Sequence, residues 1–373
     1  MTHRLSSAEL SAALAVPDLT DPAQGGHAIQ LILDAILTAV RRDAGVPVEV
    51  RRTSPLVTTA DNYDRLGYRP DDITRDARYS RYVSDAIMLR SHTTAAVPAI
   101  LDELRDHDGD HDRVYALPGL VHRRDSIDRT HVGTPHQLDL WRLSNTRRLD
   151  VTDLHALART VVTAVLPGAR WRVVPTVHPY TSHGLQIEVS VDGEWLELAE
   201  CGLAGAAVLR GAGLDPRTWT GLALGTGLDR AVMIRKGIPD IRLLRSDHPE
   251  AVRQLADLEP WRPFSSMPPI QRDISIVIDP GTDEELLGDL ARTALGPDAD
   301  LLADLSLITR TPAADLPPQA VRRLGIRPDQ DNALVRLTWQ ALDRTLTDAE
   351  ANRLRDRVHR ALHRGEGLDL VAS

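Results

Sequence analysis

The chain has 373 residues, of which 42% are hydrophobic and 26% are charged, so a globular protein with more than one domain is expected. Its single cysteine, Cys201, excludes a disulfide framework and a cysteine-based zinc site, and it favours a reducing, cytoplasmic location. The net charge of −9 argues against a strongly basic DNA-binding surface over the chain as a whole.

The N-terminal region predicts a loose arm followed by a helix. Residues 1–24 are polar, lack a periodic pattern and show no leader peptide. No apolar run in the chain reaches the roughly 20 residues that cross a bilayer, so no membrane partner is expected. The segment His27–Arg42 predicts an amphipathic helix, because apolar residues recur at helical spacing at Ile29, Ile32, Ile36 and Val40.

A mostly antiparallel sheet with helices on it is predicted for the next part of the chain. Short apolar runs alternate with polar loops in VPVEVRR, VYALPGLVHRR, HQLDLWRLS, WRVVP, GLQIEVSV and EWLELAEC. Asp153–Leu166 predicts a helix inserted among these strands, and Gly221–Gly237 predicts a strand that continues into a helix. We assign this first domain to residues 25–257.

A second, smaller domain is predicted after a linker over residues 258–268, where proline and serine become frequent. Residues 269–373 show the order strand, helix, strand, strand, helix, which is typical of a ferredoxin-like α+β domain. The last helix is expected to begin at Thr347, because Thr347 and Glu350 have the spacing of a capping box. The whole chain is therefore expected to be an α+β protein.

Two segments contain the residue types that bind polyphosphates. Val121–His131 (VHRRDSIDRTH) leaves a strand with arginines beside acids, and Gly221–Arg230 (GLALGTGLDR) is a glycine-rich turn that ends in arginine. Arginine and backbone N–H groups donate to phosphate oxygens, and nearby carboxylates can hold magnesium. The alternatives are close strand–helix packing for the glycines and solvated ion pairs for the arginines. A dinucleotide-binding loop is disfavoured, because the third glycine and a regular βαβ context are missing.

These two segments belong to a longer, ordered series of motifs. The series consists of Ser54–Tyr68 (SPLVTTADNYDRLGY), Met88–Ala95 (MLRSHTTA), Val121–Asp139 (VHRRDSIDRTHVGTPHQLD), His178–Val189 (HPYTSHGLQIEV), Gly193–Gly202 (GEWLELAECG) and Gly225–Leu244 (GTGLDRAVMIRKGIPDIRLL). In this order it resembles phenylalanyl-tRNA synthetase, most closely the single-chain form of organelles. Met267–Ile278 and Leu337–Glu350 resemble the ferredoxin-fold anticodon-binding domain of the same family.

The resemblance implies a class II aminoacyl-tRNA synthetase core, whose antiparallel sheet binds ATP, followed by an anticodon-binding-like domain. The implied reaction forms an aminoacyl-adenylate from an amino acid and ATP with Mg²⁺, and then transfers the acyl group to tRNA. Arg123 and Arg230 occupy the positions of the two catalytic arginines that neutralise phosphate charge. The other positions implied to bind ATP are Asp125, His131, Glu188 and Glu197, of which the two glutamates are also the implied magnesium ligands.

The amino-acid pocket implied by the resemblance departs from the family's pattern. Its positions here are His92, Thr94, Gln137, Asp139, His178, Tyr180, Glu200 and Gly202. The family's Phe-Pro-Phe is replaced by His178-Pro179-Tyr180, a family glycine by Glu200, and the first glutamate of the family's Glu-x-Glu by Gln186, which weakens the metal site if that carboxylate helps to hold magnesium. Buried polar side chains need hydrogen-bonding partners, so one expectation is a polar or basic substrate side chain. The alternative is that the new rings replace phenyl groups and that Glu200 faces solvent.

The last helix of the second domain predicts a basic stripe. Its arginines recur at helical spacing at Arg353, Arg357, Arg360 and Arg364. The stripe is a candidate tRNA-binding surface, and the alternative is an ordinary solvated helix face.

Three functions remain open from the sequence. The first is a monomeric, cytoplasmic ligase that uses ATP to load phenylalanine or a related amino acid onto tRNA. The second is a repurposed paralogue that activates a non-standard amino acid for a natural product or for an acceptor other than tRNA. The third is a non-catalytic binding protein that keeps the fold.

Overall fold

The computed structural model describes residues 4–76, 79–124, 127–264 and 268–367. The chain forms two compact units, each made of segments that are separate along the sequence. The first unit contains Met1–Arg123, Thr134–Ile238 and Arg253–Trp261. The second unit contains Arg124–Gly133, Pro239–Val252 and Arg262–Ser373. The predicted domain boundaries treat each domain as one continuous stretch, and they remain a prediction.

Along the chain, α-helices precede and separate the strands of the first unit. They are α1 (Ser7–Leu14), α2 (Ala28–Ala44), α3 (Thr59–Asn62), α4 (Val97–Arg105), α5 (Val151–Val165), α6 (Ala206–Gly211) and α7 (Leu228–Lys236). Within this unit α2 packs against α5 and α7. None of the helices in the described part of the chain has the length and apolar character that crossing a bilayer requires.

Helix α1 differs from the prediction and α2 agrees with it. The loose arm predicted for residues 1–24 is wrong for Ser7–Leu14, where a capping box between Ser6 and Glu9 begins a short helix with no buried residue. The helix predicted over His27–Arg42 is confirmed, because its four apolar positions are fully buried. It ends at Gly45, whose φ of 63° is the left-handed conformation that glycine adopts most readily.

The strands of the first unit form two sheets. They are β1 (Val48–Val50), β2 (Leu56–Thr58), β3 (Arg81–Tyr82), β4 (Ile87–Leu89), β5 (Asp112–Leu120), β6 (His136–Ser144), β7 (Trp171–Pro175), β8 (Thr181–Val191), β9 (Glu194–Ala204) and β10 (Thr220–Gly227). The main sheet has the order β1-β5-β6-β10-β9-β8-β7, and the small sheet has the order β2-β4-β3. Only the β1–β5 pair of the main sheet is parallel, which confirms the predicted, mostly antiparallel sheet.

The second unit is built on a three-stranded antiparallel sheet. Along the chain come α8 (Pro249–Gln254), whose last two residues belong to the first unit, β11 (Ile270–Ile278), α9 (Glu284–Leu295), β12 (Leu302–Pro312), α10 (Pro318–Leu324), β13 (Asp331–Trp339) and α11 (Asp348–Leu362). The sheet order is β11-β13-β12. The predicted order of strands and helices is confirmed, except that α10 adds a short helix before β13. The capping box of Thr347 and Glu350 is also confirmed.

Candidate active site

Four adjacent strands of the main sheet bring a set of predicted residues to one face. Asp139 on β6 lies opposite Gly225 on β10, which lies opposite Glu200 on β9, which in turn lies opposite Gln186 on β8. We call these four residues the site row. Directly opposed residues point to the same face of a sheet, so the side chains of Asp139, Glu200 and Gln186 share one side.

Asp139 lies at one end of the site row and is only 3% exposed. The Thr94 hydroxyl donates a hydrogen bond to its carboxylate. Next to it on β6, Gln137 accepts a hydrogen bond from the backbone N–H of Thr93 at 3.2 Å. Burial raises the pKa of Asp139 to about 6, although the threonine donors and the charge of Arg123 lower it. The structure therefore brings Thr94, Gln137 and Asp139 together, and the carboxylate is ionised above pH 6.

Four rings stand beside the site row, and we call them the ring cluster. His92 stacks on Tyr68 with centroids 5.7 Å apart, Tyr68 lies 6.3 Å from Tyr180, and Tyr180 lies 5.7 Å from His178. His92 is 8% exposed, and among the described residues neither of its ring nitrogens makes a well-aligned hydrogen bond. Burial, followed by the charge of Arg123, lowers the pKa of His92 to about 3, so the imidazole is neutral.

The other end of the ring cluster meets Glu200. Nε2 of His178 lies 3.0 Å from a carboxylate oxygen of Glu200, and Nδ1 of His178 lies 3.2 Å from the Thr181 hydroxyl. Gly202 leaves room for this arrangement, because a Cβ on it would lie 2.7 Å from the Cβ of Thr181. The Glu200 side chain is therefore both 40% exposed to solvent and paired with His178.

Cys201 follows Glu200 on β9 and is 2% exposed. Burial, together with the charge of Glu200, raises the pKa of its thiol to about 12. The thiol is therefore protonated at neutral pH.

Positive and negative charges meet next to the site row. The pKa of Glu197 is raised, first by desolvation and then by the charges of Glu200 and Glu188. The charges of Arg230 and Arg123 oppose this rise. Arg123 is held by one hydrogen bond, from its Nε to the carbonyl oxygen of Ser91 at 2.7 Å. Both predicted catalytic arginines thus lower the pKa of Glu197.

A β-bulge positions the two glutamates predicted to bind magnesium. The register of β8 and β9 shifts after Ile187, so that Glu188 lies opposite Glu197. Both oxygens of Glu188 accept hydrogen bonds, from Gln186 at 3.0 Å and from Arg172 at 2.6 Å. The described residues contain no group of three or more metal-binding side chains. Magnesium usually needs only one or two protein carboxylates together with substrate phosphates, so the glutamate pair fits this role.

Two predicted ATP-binding residues are not part of the described first unit. Asp125 lies outside the described residues. His131 belongs to the segment Arg124–Gly133, which is part of the second unit, and its Nδ1 lies 2.6 Å from a carboxylate oxygen of Asp128. The roles of Asp125 and His131 in binding ATP stay predictions.

The predicted basic stripe of the second unit is interrupted. Arg357 donates to the carbonyl oxygen of Ala294 at 3.0 Å and to Asp298 at 2.6 Å, so its guanidinium holds the end of α9. Arg364 lies beyond α11, because that helix ends at Leu362. The prediction of one continuous stripe is wrong at these two positions. Of the four predicted arginines, Arg353 and Arg360 lie on α11 and are exposed.

One contact at the site was not predicted. His136 is fully buried, its backbone N–H donates to Asp229 at 2.5 Å, and its Nδ1 lies 3.0 Å from the same carboxylate. The pair joins the start of β6 to the first turn of α7. It thereby fixes the positions of the neighbouring residues Gln137 and Arg230. The sequence signal for this contact is that His136 directly precedes Gln137 and Asp229 directly precedes Arg230.

Comparisons with known proteins show the family to which the chain belongs. The family model for the tRNA synthetases class II core domain (F) matches residues 25–255. The phenylalanine–tRNA ligase alpha subunit of Prochlorococcus marinus (strain MIT 9313) is 33% identical over 230 residues, which cover 61% of this chain and 66% of that protein. The chain thus spans just under two thirds of the length of that relative.

Two further proteins are similar. The chloroplastic/mitochondrial phenylalanine–tRNA ligase of Arabidopsis thaliana is 27% identical over 335 residues, covering 85% of this chain and 71% of that protein. The solved pyrrolysyl-tRNA synthetase from Desulfitobacterium hafniense is 18% identical with a TM-score of 0.47, covering 64% of this chain and 78% of that one.

Proposed function

Because the chain belongs to the family of class II tRNA synthetase core domains, we propose that it activates an amino acid with ATP and transfers it to tRNA. The proposed reaction is like that of the phenylalanine–tRNA ligases named among its relatives. The observation that carries the proposal is the site row, in which the register of β6, β10, β9 and β8 brings Asp139, Glu200 and Gln186 to one face of the sheet.

In the first step a carboxylate oxygen of the amino acid attacks the α-phosphorus of ATP, and pyrophosphate leaves. Negative charge spreads over the phosphate oxygens, and the guanidinium groups of Arg123 and Arg230 are suited to stabilise it. Asp139 is suited to accept hydrogen bonds from the substrate's α-ammonium group, because it is ionised at neutral pH and oriented by Thr94. Holding both reactants in one orientation lowers the entropic part of the barrier.

Magnesium would be held by Glu197 and Glu188. When bound, the ion neutralises phosphate charge on ATP. Glu197 is exposed on β9, and its raised pKa reflects partial desolvation and the charges of Glu200 and Glu188, which a divalent cation would compensate. Glu188 would share oxygens that already accept hydrogen bonds from Gln186 and Arg172, so we expect it to be the weaker ligand.

In the second step a hydroxyl of the terminal adenosine of tRNA attacks the carbonyl carbon of the adenylate, and AMP leaves. The second unit is proposed to bind tRNA, with Arg353 and Arg360 as candidate phosphate contacts because both are exposed on α11. A monomeric state and a cytoplasmic location complete the proposal.

Amino-acid-dependent exchange of pyrophosphate into ATP tests the first step. Arg123→Ala and Arg230→Ala should each lower the exchange rate by roughly 10²–10³, the usual cost of losing one donor to a charged transition state. Arg217→Ala is the matched control, because the Arg217 side chain is 90% exposed and pairs only with the nearby Asp215. Unchanged exchange in both arginine variants would reject their proposed roles.

A further inference from the structure

The ring cluster has a polar contact at each end. At one end Thr94, two residues after His92 in the sequence, donates a hydrogen bond from its hydroxyl to the Asp139 carboxylate. At the other end His178 pairs with Glu200 at 3.0 Å. Between these ends lie the rings of Tyr68 and Tyr180. Burial raises the pKa of Tyr180, and the charges of Asp139, Tyr68 and Glu200 raise it further, so both carboxylates act on the Tyr180 hydroxyl.

An amino-acid substrate brings one α-ammonium group, and the proposed function assigns that group to Asp139. Glu200 then remains as a second carboxylate that faces the same side of the sheet. Its described partner is His178, and Nε2 of His178 is buried without a well-aligned hydrogen bond. A phenyl side chain placed here would leave these groups without a new partner.

His92 adds an independent observation. Its imidazole is more than nine-tenths buried in the ring cluster, and among the described residues neither ring nitrogen makes a well-aligned hydrogen bond, although the backbone of Asn62 interacts with the ring. A neutral imidazole has one donor and one acceptor, and burying them unpaired costs free energy. A polar substrate could satisfy them, whereas a hydrocarbon ring could not.

We propose that the substrate is an amino acid whose side chain ends in a nitrogen-bearing hydrogen-bond donor, which binds the Glu200–His178 pair, and that phenylalanine is a poor substrate. This inference rests on the proposed function. A site built to hydrogen-bond a substrate group rejects the analogue that lacks the group by large factors. Because Glu200 is partly exposed, we expect a preference of roughly 10–100-fold in kcat/KM rather than the largest values.

The test is pyrophosphate exchange with the full chain, run with the twenty standard amino acids and with 4-aminophenylalanine and other basic and heteroaromatic analogues. The informative pair is phenylalanine and 4-aminophenylalanine, which differ by one amino group. Donor-bearing side chains should exceed phenylalanine by at least about tenfold. Glu200→Gln should reduce that preference by a similar factor, because the amide keeps the size of the side chain and removes its charge. The control is Glu194→Gln, an exposed position on the same strand.

The possible outcomes separate the two proposals. If phenylalanine is the best substrate and Glu200→Gln leaves the ranking unchanged, the specificity inference is overturned and the proposed function stands. If no amino acid supports exchange, the proposed function fails and the specificity inference fails with it. If the Glu200 variant does not fold, the ranking of the two matched analogues by the unmodified chain decides the question.

Discussion

Replacing Asp139 by asparagine should make the protein more stable and less active at pH 7. The carboxyl group is 3% exposed, and burial raises its pKa from 3.8 to about 6. Between these two pH values the folded chain binds a proton that the unfolded chain has lost, so stability falls as pH rises from about 4 to 6. At about 1.4 kcal/mol per pH unit, the ionised group costs the folded state about 3 kcal/mol at pH 7.

Asparagine keeps an oxygen that can accept the Thr94 hydrogen bond, and it carries no charge to bury. The Asp139→Asn variant should therefore melt roughly 6–12 °C higher than the unmodified chain at pH 7, with a much smaller difference at pH 4. The same change removes the charged acceptor proposed for the α-ammonium group. The KM for the amino acid should rise roughly 10–100-fold, the range for a hydrogen bond to a charged group.

Thermal unfolding from pH 4 to pH 7 and the KM in pyrophosphate exchange check both parts. Asp71→Asn is the control, because the Asp71 side chain is 71% exposed and pairs with Arg69 at the surface. A variant that melts lower at pH 7 and keeps its KM would refute both the burial argument for Asp139 and its role in binding substrate.

Three further variants examine other parts of the molecule. Gln186→Glu should lower the Mg²⁺ concentration for half-maximal exchange by roughly tenfold, because it adds a carboxylate and releases one oxygen of Glu188. Gly202→Ala should destabilise the chain by about 1–3 kcal/mol in urea unfolding, since the new Cβ would lie 2.7 Å from the Cβ of Thr181. Arg353→Ala should remove one phosphate contact with tRNA. The slope of log affinity against log salt concentration should therefore fall by about 1, and the melting temperature should stay unchanged.

Matched controls make these outcomes decisive. Gly211→Ala is the control for the Gly202 variant and should not destabilise the chain, because no atom outside its own helix lies within 4 Å of where the new Cβ would be. Arg357→Ala is the comparison for the Arg353 variant. It should lower the melting temperature, because Arg357 hydrogen-bonds to the end of α9. An unchanged magnesium requirement in the Gln186 variant would contradict the assigned ligands. Equal stability of the two glycine variants would contradict the packing argument for Gly202.

Most secondary structure could be predicted from the sequence, because its signals are local. The helical spacing of Ile29, Ile32 and Ile36 and the capping box of Thr347 and Glu350 need only neighbouring residues. The helix α1 was missed because its capping box stands in a polar segment that buries nothing, so no periodic apolar pattern marks it.

The candidate site was predictable as a set of residues and less so as an arrangement. Motif order indicated Asp139 and Glu200, but their common face depends on the register of separate strands through Gly225. The pairing of Glu200 with His178 likewise depends on tertiary structure. The regular spacing of arginines on α11 was misleading at Arg357, because sequence spacing shows which residues share a helix face and not which carbonyl groups lie against it.

The buried thiol of Cys201 makes the chain convenient to label. With a pKa of about 12, only on the order of one thiol in 10⁴–10⁵ is ionised near neutral pH, and maleimide and iodoacetamide reagents react with the thiolate. Since Cys201 is the only cysteine, a second one introduced at an exposed position would carry a fluorophore at a single known place. Binding of ATP, amino acid or tRNA could then be followed by fluorescence without first removing a native residue from the sheet.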